Sequence, residues 1–152
     1  MWSEDTMIQL EKEVLLFLTE WSYHVQRVRK LEEMLATAKV NMTVEYRESA
    51  SSGRSGSSMV EELVMKKARI EGELQTLVTK MKQYIQAVNK CGLTQVERDI
   101  IVKVTKSESL LRYAVDHDIY PSYVYKIRNR AVKKIVNYLL ETSFCDKTRV
   151  KV

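Results

Sequence analysis

The chain reads as an all-α protein, an N-terminal antiparallel helical hairpin of coiled-coil type followed by a C-terminal helix-turn-helix domain. Three observations predict this. Four glycines and one proline punctuate 152 residues, too few breakers for a sheet with many turns. Apolar residues recur at alternating steps of three and four along two long stretches of the first part of the chain, the period of a helix that buries one stripe. The charge is uneven as well. Residues 1–92 carry 13 Lys and Arg against 13 Asp and Glu, whereas residues 93–152 carry 12 against 7 and supply the whole net charge of +5. A neutral front and a basic back suit contact with nucleic acid, and a positive surface also suits an acidic protein or an anionic membrane.

The first helix is expected over about 4–40. One heptad series runs Met7, Val14, Trp21, Val28, Leu35 and the other Leu10, Phe17, His24, Leu31, Ala38, so that only His24 interrupts an apolar seam. A helix of roughly 35 residues would be about 50 Å long. The second helix is expected over about 59–91, with Val60, Lys67, Leu74, Met81, Val88 in one series and Leu63, Ile70, Leu77, Tyr84, Cys91 in the other. Between them, ESASSGRSGSS (48–58) removes both the apolar face and the helical bias. It predicts a flexible loop over about 41–58, long enough to let the second helix fold back on the first. Each helix alone would expose its stripe to water, so residues 1–91 form a pairing and oligomerisation region, within one chain or between copies.

Residues 92–142 form the second domain, and residues 143–152 are left as a tail. Cys91 and Gly92 supply a helix stop, and Thr94 with Glu97 three residues on makes a capping-box start. Val96, Ile100, Ile101 and Val104 give the helix that follows one buried face. A further helix around Leu110 to Ala114 breaks near Asp118, and Pro121 opens the last one, where a missing amide hydrogen costs nothing. The spacing satisfies a helix-turn-helix register. Ala114 is the small residue at the helix crossing, Asp118 falls on the positive-φ turn position, and Ile119, Val124 and Ile127 are the apolar locks. Asp118 stands where such turns usually carry glycine, and aspartate tolerates left-handed backbone better than most residues.

The stretch from Tyr120 to Ile135 holds five basic residues, three tyrosines and no acid. Docked as helix-turn-helix modules dock, its helix lies in a major groove. Tyr120, Ser122, Tyr123, Lys126, Tyr125 and Asn129 then face base edges, while Arg128, Arg130, Lys133 and Lys134 are placed for phosphates. Lys126 can donate to guanine acceptors, Asn129 can pair with adenine, and tyrosine can pack on a thymine methyl.

Other chemistry finds no foothold. His24 and His117 lie in different segments with no nucleophile beside them, no glycine-rich loop is present to cradle phosphate, and Cys91 and Cys145 lack metal-ligand spacing. The chain is therefore expected to be no enzyme and to need no cofactor or metal. No apolar run is long enough to span a membrane and the N-terminus lacks the form of a signal peptide, so no membrane association and a cytoplasmic location are expected.

LTQVERDII, the helix around Leu111 to Ala114, and YVYKIRNRAVKKIVNYL together resemble DNA-binding region 4 of bacterial sigma factors. There an L-T-x-x-E-R helix precedes a helix-turn-helix whose recognition helix ends in an R-A-x-x-K-[LI] run, matched here by Arg130, Ala131, Lys134 and Ile135. In layout the whole chain is similar to small phage and prophage regulators of the RinA and ArpU type. This resemblance implies a sequence-specific DNA-binding transcription regulator of phage or prophage origin, acting on late gene expression in a bacterial host. Double-stranded DNA, other copies of the chain and RNA polymerase are its implied partners. Two alternatives stay open: a DNA-packaging protein of the small-terminase kind, and a protein-only adaptor that binds a host factor.

Overall fold

The computed structural model describes residues 3–52 and 57–150, with side chains for 3–44 and 59–143. Among the described residues there are six helices and no strand: α1 (Glu4–Thr19), α2 (Trp21–Ser52), α3 (Ser57–Lys90), α4 (Gln95–Thr105), α5 (Leu110–Asp116) and α6 (Pro121–Val150). The protein is all-helical.

Three element boundaries differ from the sequence expectation. The helix expected over 4–40 is interrupted at Glu20, with no glycine or proline to mark the place. Thr19 Oγ1 donates to Leu15 O at 2.7 Å, a back-bond of the kind that bends helices. Ser107 Oγ also donates to Thr19 O, and Ser22 Oγ to Thr105 O, each at 3.4 Å, so the α1–α2 junction is tied to the end of α4. The loop expected over 41–58 is helical through Ser52 and again from Ser57, with residues 53–56 outside the described residues. Extending an existing helix fixes one residue per bond gained, so moderate helix formers between Asn41 and Ser52 are carried along. The tail expected over 143–152 is helical as far as Val150, because neither glycine nor proline occurs there to stop α6; residues 151–152 lie outside the described residues.

The chain divides into two compact units, residues 1–23 with 81–152 and residues 24–80. In the first, α6 packs against α4, α1 and α5, and α1 also packs against α4. Its core includes Leu18, Ile100, Ile101, Ala114, Val124, Ala131, Ile135 and Val136, each almost wholly withdrawn from water. Phe17 holds an aromatic cluster, its ring centroid 4.2 Å from Tyr84 and 5.9 Å from Trp21 in an edge-on arrangement. Burial, with a smaller push from the negative charge of Glu13, drives the Tyr84 phenol up to about 12.

In the second unit, Leu31, Ala38 and Ile70 form a buried cluster flanked by Met34, Leu35, Leu74 and Leu77. Arg27 Nε and Nη2 both donate to Glu73 Oε1, at 3.0 and 2.7 Å. Farther along α2, Ala38 and Asn41 line a shallow groove with Leu63 and Lys66 of α3. None of the twenty seam positions named from the heptads is exposed, His24 and Lys67 included. Most are half-buried, and only Val14, Phe17, Leu31, Ala38, Ile70 and Tyr84 are fully covered.

Candidate nucleic-acid interface

The basic segment is positioned by short helices whose ends are closed individually. Thr94 Oγ1 accepts from Glu97 N at 3.2 Å while Thr94 N donates to Glu97 Oε1 at 3.3 Å, completing the capping box of α4. Ser109 Oγ accepts from Arg112 N at 3.3 Å and caps α5. Both helices end in left-handed residues, Ser107 at φ 57 and Asp118 at φ 54. After α5, Asp118 N donates to Val115 O and Ile119 N to Ala114 O, at 3.2 and 2.8 Å. This pair of bonds is a Schellman closure, with aspartate in the place that glycine usually fills. After α4, Ser107 N to Val104 O and Glu108 N to Lys103 O repeat the arrangement at 3.0 and 2.9 Å.

The turn at Asp118 sends the chain into α6, whose first turn begins at Pro121 with Tyr120 O accepting from Tyr123 N and Val124 N. Ala114 is 0 % exposed, and its methyl group is the smallest side chain in the cluster that joins α5 to α6. Ile100, Tyr113, Ala114, Val124 and Ile127 form one buried cluster, with Leu110 and Ile119 packed against it. His117, at the C-cap of α5, stacks on Tyr113 with ring centroids 4.0 Å apart and places Nδ1 3.0 Å from Tyr113 O.

Anchoring one face of α6 leaves the other in water. Tyr120 is 82 % exposed, and Ser122, Tyr123, Tyr125, Lys126, Asn129, Arg130 and Lys133 are exposed as well. Arg128 is half-buried, its guanidinium 5.0 Å from the centre of the Tyr125 ring and bonded to Asn129 Oδ1. These are nine of the ten residues singled out from the sequence, and each meets water at least in part, along a stretch from Tyr120 through α6 that carries no acid before Glu141. The tenth is engaged inward. Lys134 Nζ donates to Glu97 Oε1 at 2.7 Å and to Gly92 O at 3.4 Å.

That ion pair was not foreseen from sequence. Glu97 is 2 % exposed, and its second oxygen, Oε2, is buried with no hydrogen bond among the described residues. Burial works against ionising the carboxyl. The hydrogen bond from Lys134, the bonds from Thr94 and the ammonium charge outweigh it, and the pKa falls below the ordinary glutamate value. Glu97 therefore does two jobs, capping α4 and pinning α4 to α6. Both partners belong to the motifs quoted above, LTQVER and RAVKKI, yet they stand 37 positions apart. Nothing local announces a contact of that range.

Comparison with protein-family models, with curated proteins and with solved structures finds no match. Among the described residues, no group of three or more His, Cys, Asp or Glu is placed to hold a metal ion, and no helix is long and apolar enough to cross a membrane.

Proposed function

We propose that the protein is a sequence-specific binder of double-stranded DNA that regulates transcription, with α5, the turn at Asp118 and α6 as a helix-turn-helix and α6 as its recognition helix. The observation that carries this reading is the closure at Asp118. A left-handed residue four positions after a fully buried alanine holds α6 by its apolar side, so that its acid-free face of lysine, arginine and tyrosine turns to solvent. Basic residues on such a face neutralise phosphates, and the side chains of its first turns have the reach to address base edges. The Glu97–Lys134 pair adds support, because it gives the two motifs that carry the sigma region 4 resemblance, LTQVER and RAVKKI, a shared structural task.

Helices α2 and α3 are read as an antiparallel hairpin that multiplies the module. Arg27 pairs with Glu73, and farther along α2 Ala38 and Asn41 line one groove with Leu63 and Lys66 of α3, the order expected of oppositely running helices. A seam that remains half-buried has apolar surface left for a second copy of the chain. Two copies make the second DNA contact intramolecular and predict half-sites about one helical turn apart, or a multiple of it. A phage or prophage origin, late gene expression, contact with RNA polymerase and action in a bacterial cytoplasm come from the resemblance alone.

In vitro selection of bound duplexes by the purified protein tests the reading. An enriched motif with two spaced half-sites is the expected result, and binding that weakens with salt but enriches no sequence defeats it. Sedimentation at micromolar concentration tests the assembly, which fails if the protein is monomeric both with and without DNA.

A further inference from the structure

Tyr125, Arg128 and Asn129 form a small cluster on the exposed side of α6. Arg128 Nε and Nη2 both donate to Asn129 Oδ1, at 3.2 and 3.0 Å, and the guanidinium carbon sits 5.0 Å from the centre of the Tyr125 ring. Arginine has no acceptor, so it addresses only the oxygen end of an amide, and this fixes which way Asn129 points. An amide oxygen carries two lone pairs, and the fork from Arg128 engages both. What Asn129 has left to offer is its NH2 group. The tyrosine ring adds a cation–π restraint, so the arrangement is held by two contacts of different kinds before any ligand arrives.

The consequence lies in what base edges require. Adenine presents an acceptor beside a donor in the major groove, and asparagine reads it with both ends of its amide. Cytosine presents a donor and needs an acceptor, whereas guanine presents two acceptors and is read by donors alone. Lys126, one turn before Asn129 on the same face, has donors only. No Asp or Glu occurs between Ile119 and Leu140, and the tyrosine and serine hydroxyls serve either way. Asn129 Oδ1 is the one fixed side-chain acceptor between Tyr120 and Lys134, and it is occupied.

Resting on the reading of α6 as a recognition helix, we infer that the Tyr125–Arg128–Asn129 cluster makes Asn129 a donor-only reader, selecting guanine rather than adenine at the base pair it faces. Arg128 is then a specificity-determining residue that acts through its neighbour.

The test is in vitro selection of duplex DNA with the full-length wild-type protein, Arg128→Ala and Asn129→Ala, each first shown by circular dichroism to fold. The position in question is the one whose preference Asn129→Ala erases. Wild type should hold guanine there. Arg128→Ala frees the amide oxygen and should move the preference to adenine, with the affinity ratio for two matched duplexes shifting about tenfold. Adenine at that position in the wild-type motif, an Arg128→Ala motif unchanged there, or an Asn129→Ala motif identical to wild type overturns the inference and leaves sequence-specific binding standing. A wild-type protein that enriches no motif overturns the recognition-helix reading itself, and the inference with it. Should Arg128→Ala not fold, Arg128→Lys, which keeps the charge but not the fork, replaces it with the same expected direction.

Discussion

The segment from α4 to α6 and the paired stretches of α2 and α3 are both helical, and they are held together by different means. In the first, α4 and α5 are short and each is closed at both ends, by Thr94 and Ser109 at the starts and by left-handed Ser107 and Asp118 after the finishes. Helices so short are marginal alone, so local closures and a core that meets them from several sides decide whether they form. In the second, the helices are long, and the contact is a single line of side chains in which Leu31, Ala38 and Ile70 are fully covered while Val28, Leu35, Leu74 and Leu77 stay half-buried. Two helices enclose only the line between them. A third or fourth partner is needed to cover the flanks, which α1 and α6 supply around α4 and which the 24–80 unit lacks within itself.

The largest expected effect compares one position from each region. Ile100→Ala removes a side chain with no exposure and should cost about 3 kcal/mol, whereas Leu35→Ala on the half-buried seam should cost about 1 kcal/mol at low protein concentration. Urea unfolding followed by circular dichroism measures both, and equal costs would break the contrast. If a second copy covers the seam, the Leu35→Ala penalty should grow with protein concentration.

Lys134→Met comes next. It leaves the Glu97 carboxylate buried without its cation and should cost about 2 kcal/mol, less than for a fully buried pair because a third of the Lys134 side chain meets water. The same pair predicts a pH dependence. A carboxyl whose folded pKa lies below its ordinary value of 4.5 contributes stability that is complete above that value and lost as pH falls through the lowered one. Wild type should therefore lose stability as pH falls below the ordinary glutamate value of 4.5 and through the lowered one, and Glu97→Gln should flatten that part of the curve. An unchanged slope would mean that Glu97 is not held ionised by Lys134.

Asp118→Gly should have a smaller effect of opposite sign. Relief of the left-handed strain slightly exceeds the entropy that glycine adds to the unfolded chain, giving a gain of about 0.5 kcal/mol in thermal or urea unfolding. A loss would show that the aspartate side chain contributes something beyond its backbone geometry.

The smallest effect separates two adjacent lysines. Lys133→Ala should leave stability almost untouched and lower the slope of log binding constant against log salt by about one, as loss of one phosphate contact does. Lys134→Met should change that slope much less, since its ammonium faces Glu97. Reversed results for the two would exchange their roles.

Much of this was legible before any coordinates. The capping box at Thr94 is a local pattern, in which donor and acceptor are three residues apart, so the sequence contains both ends of it. The heptads predicted which side chains leave water, because a helix turns at a fixed rate whatever it packs against. The register from Ala114 through Asp118 to Ile127 was readable for the same reason, since a tight turn leaves few ways to place a small residue, a left-handed residue and three apolar ones. The outward face of α6 followed from its inward one.

Tertiary contact decided the rest. The interruption at Glu20 has no breaker in the sequence and coincides with hydrogen bonds to residues more than eighty positions away. The packing of α1 on α4 and α6 joins segments that no periodicity links, because an apolar stripe specifies that it must be covered and not by what. Lys134 is indistinguishable from Lys133 in the sequence, and only the packing of α4 on α6 pairs it with Glu97. Sequence by itself determined the helical period, the faces that leave water and the site of the turn, all of which depend on interactions within a few residues, but not the break at Glu20 or the helical course of 41–52 and 143–150. That Lys134 is engaged rather than free was decided only when α4 and α6 met, because an ion pair depends on distance in space.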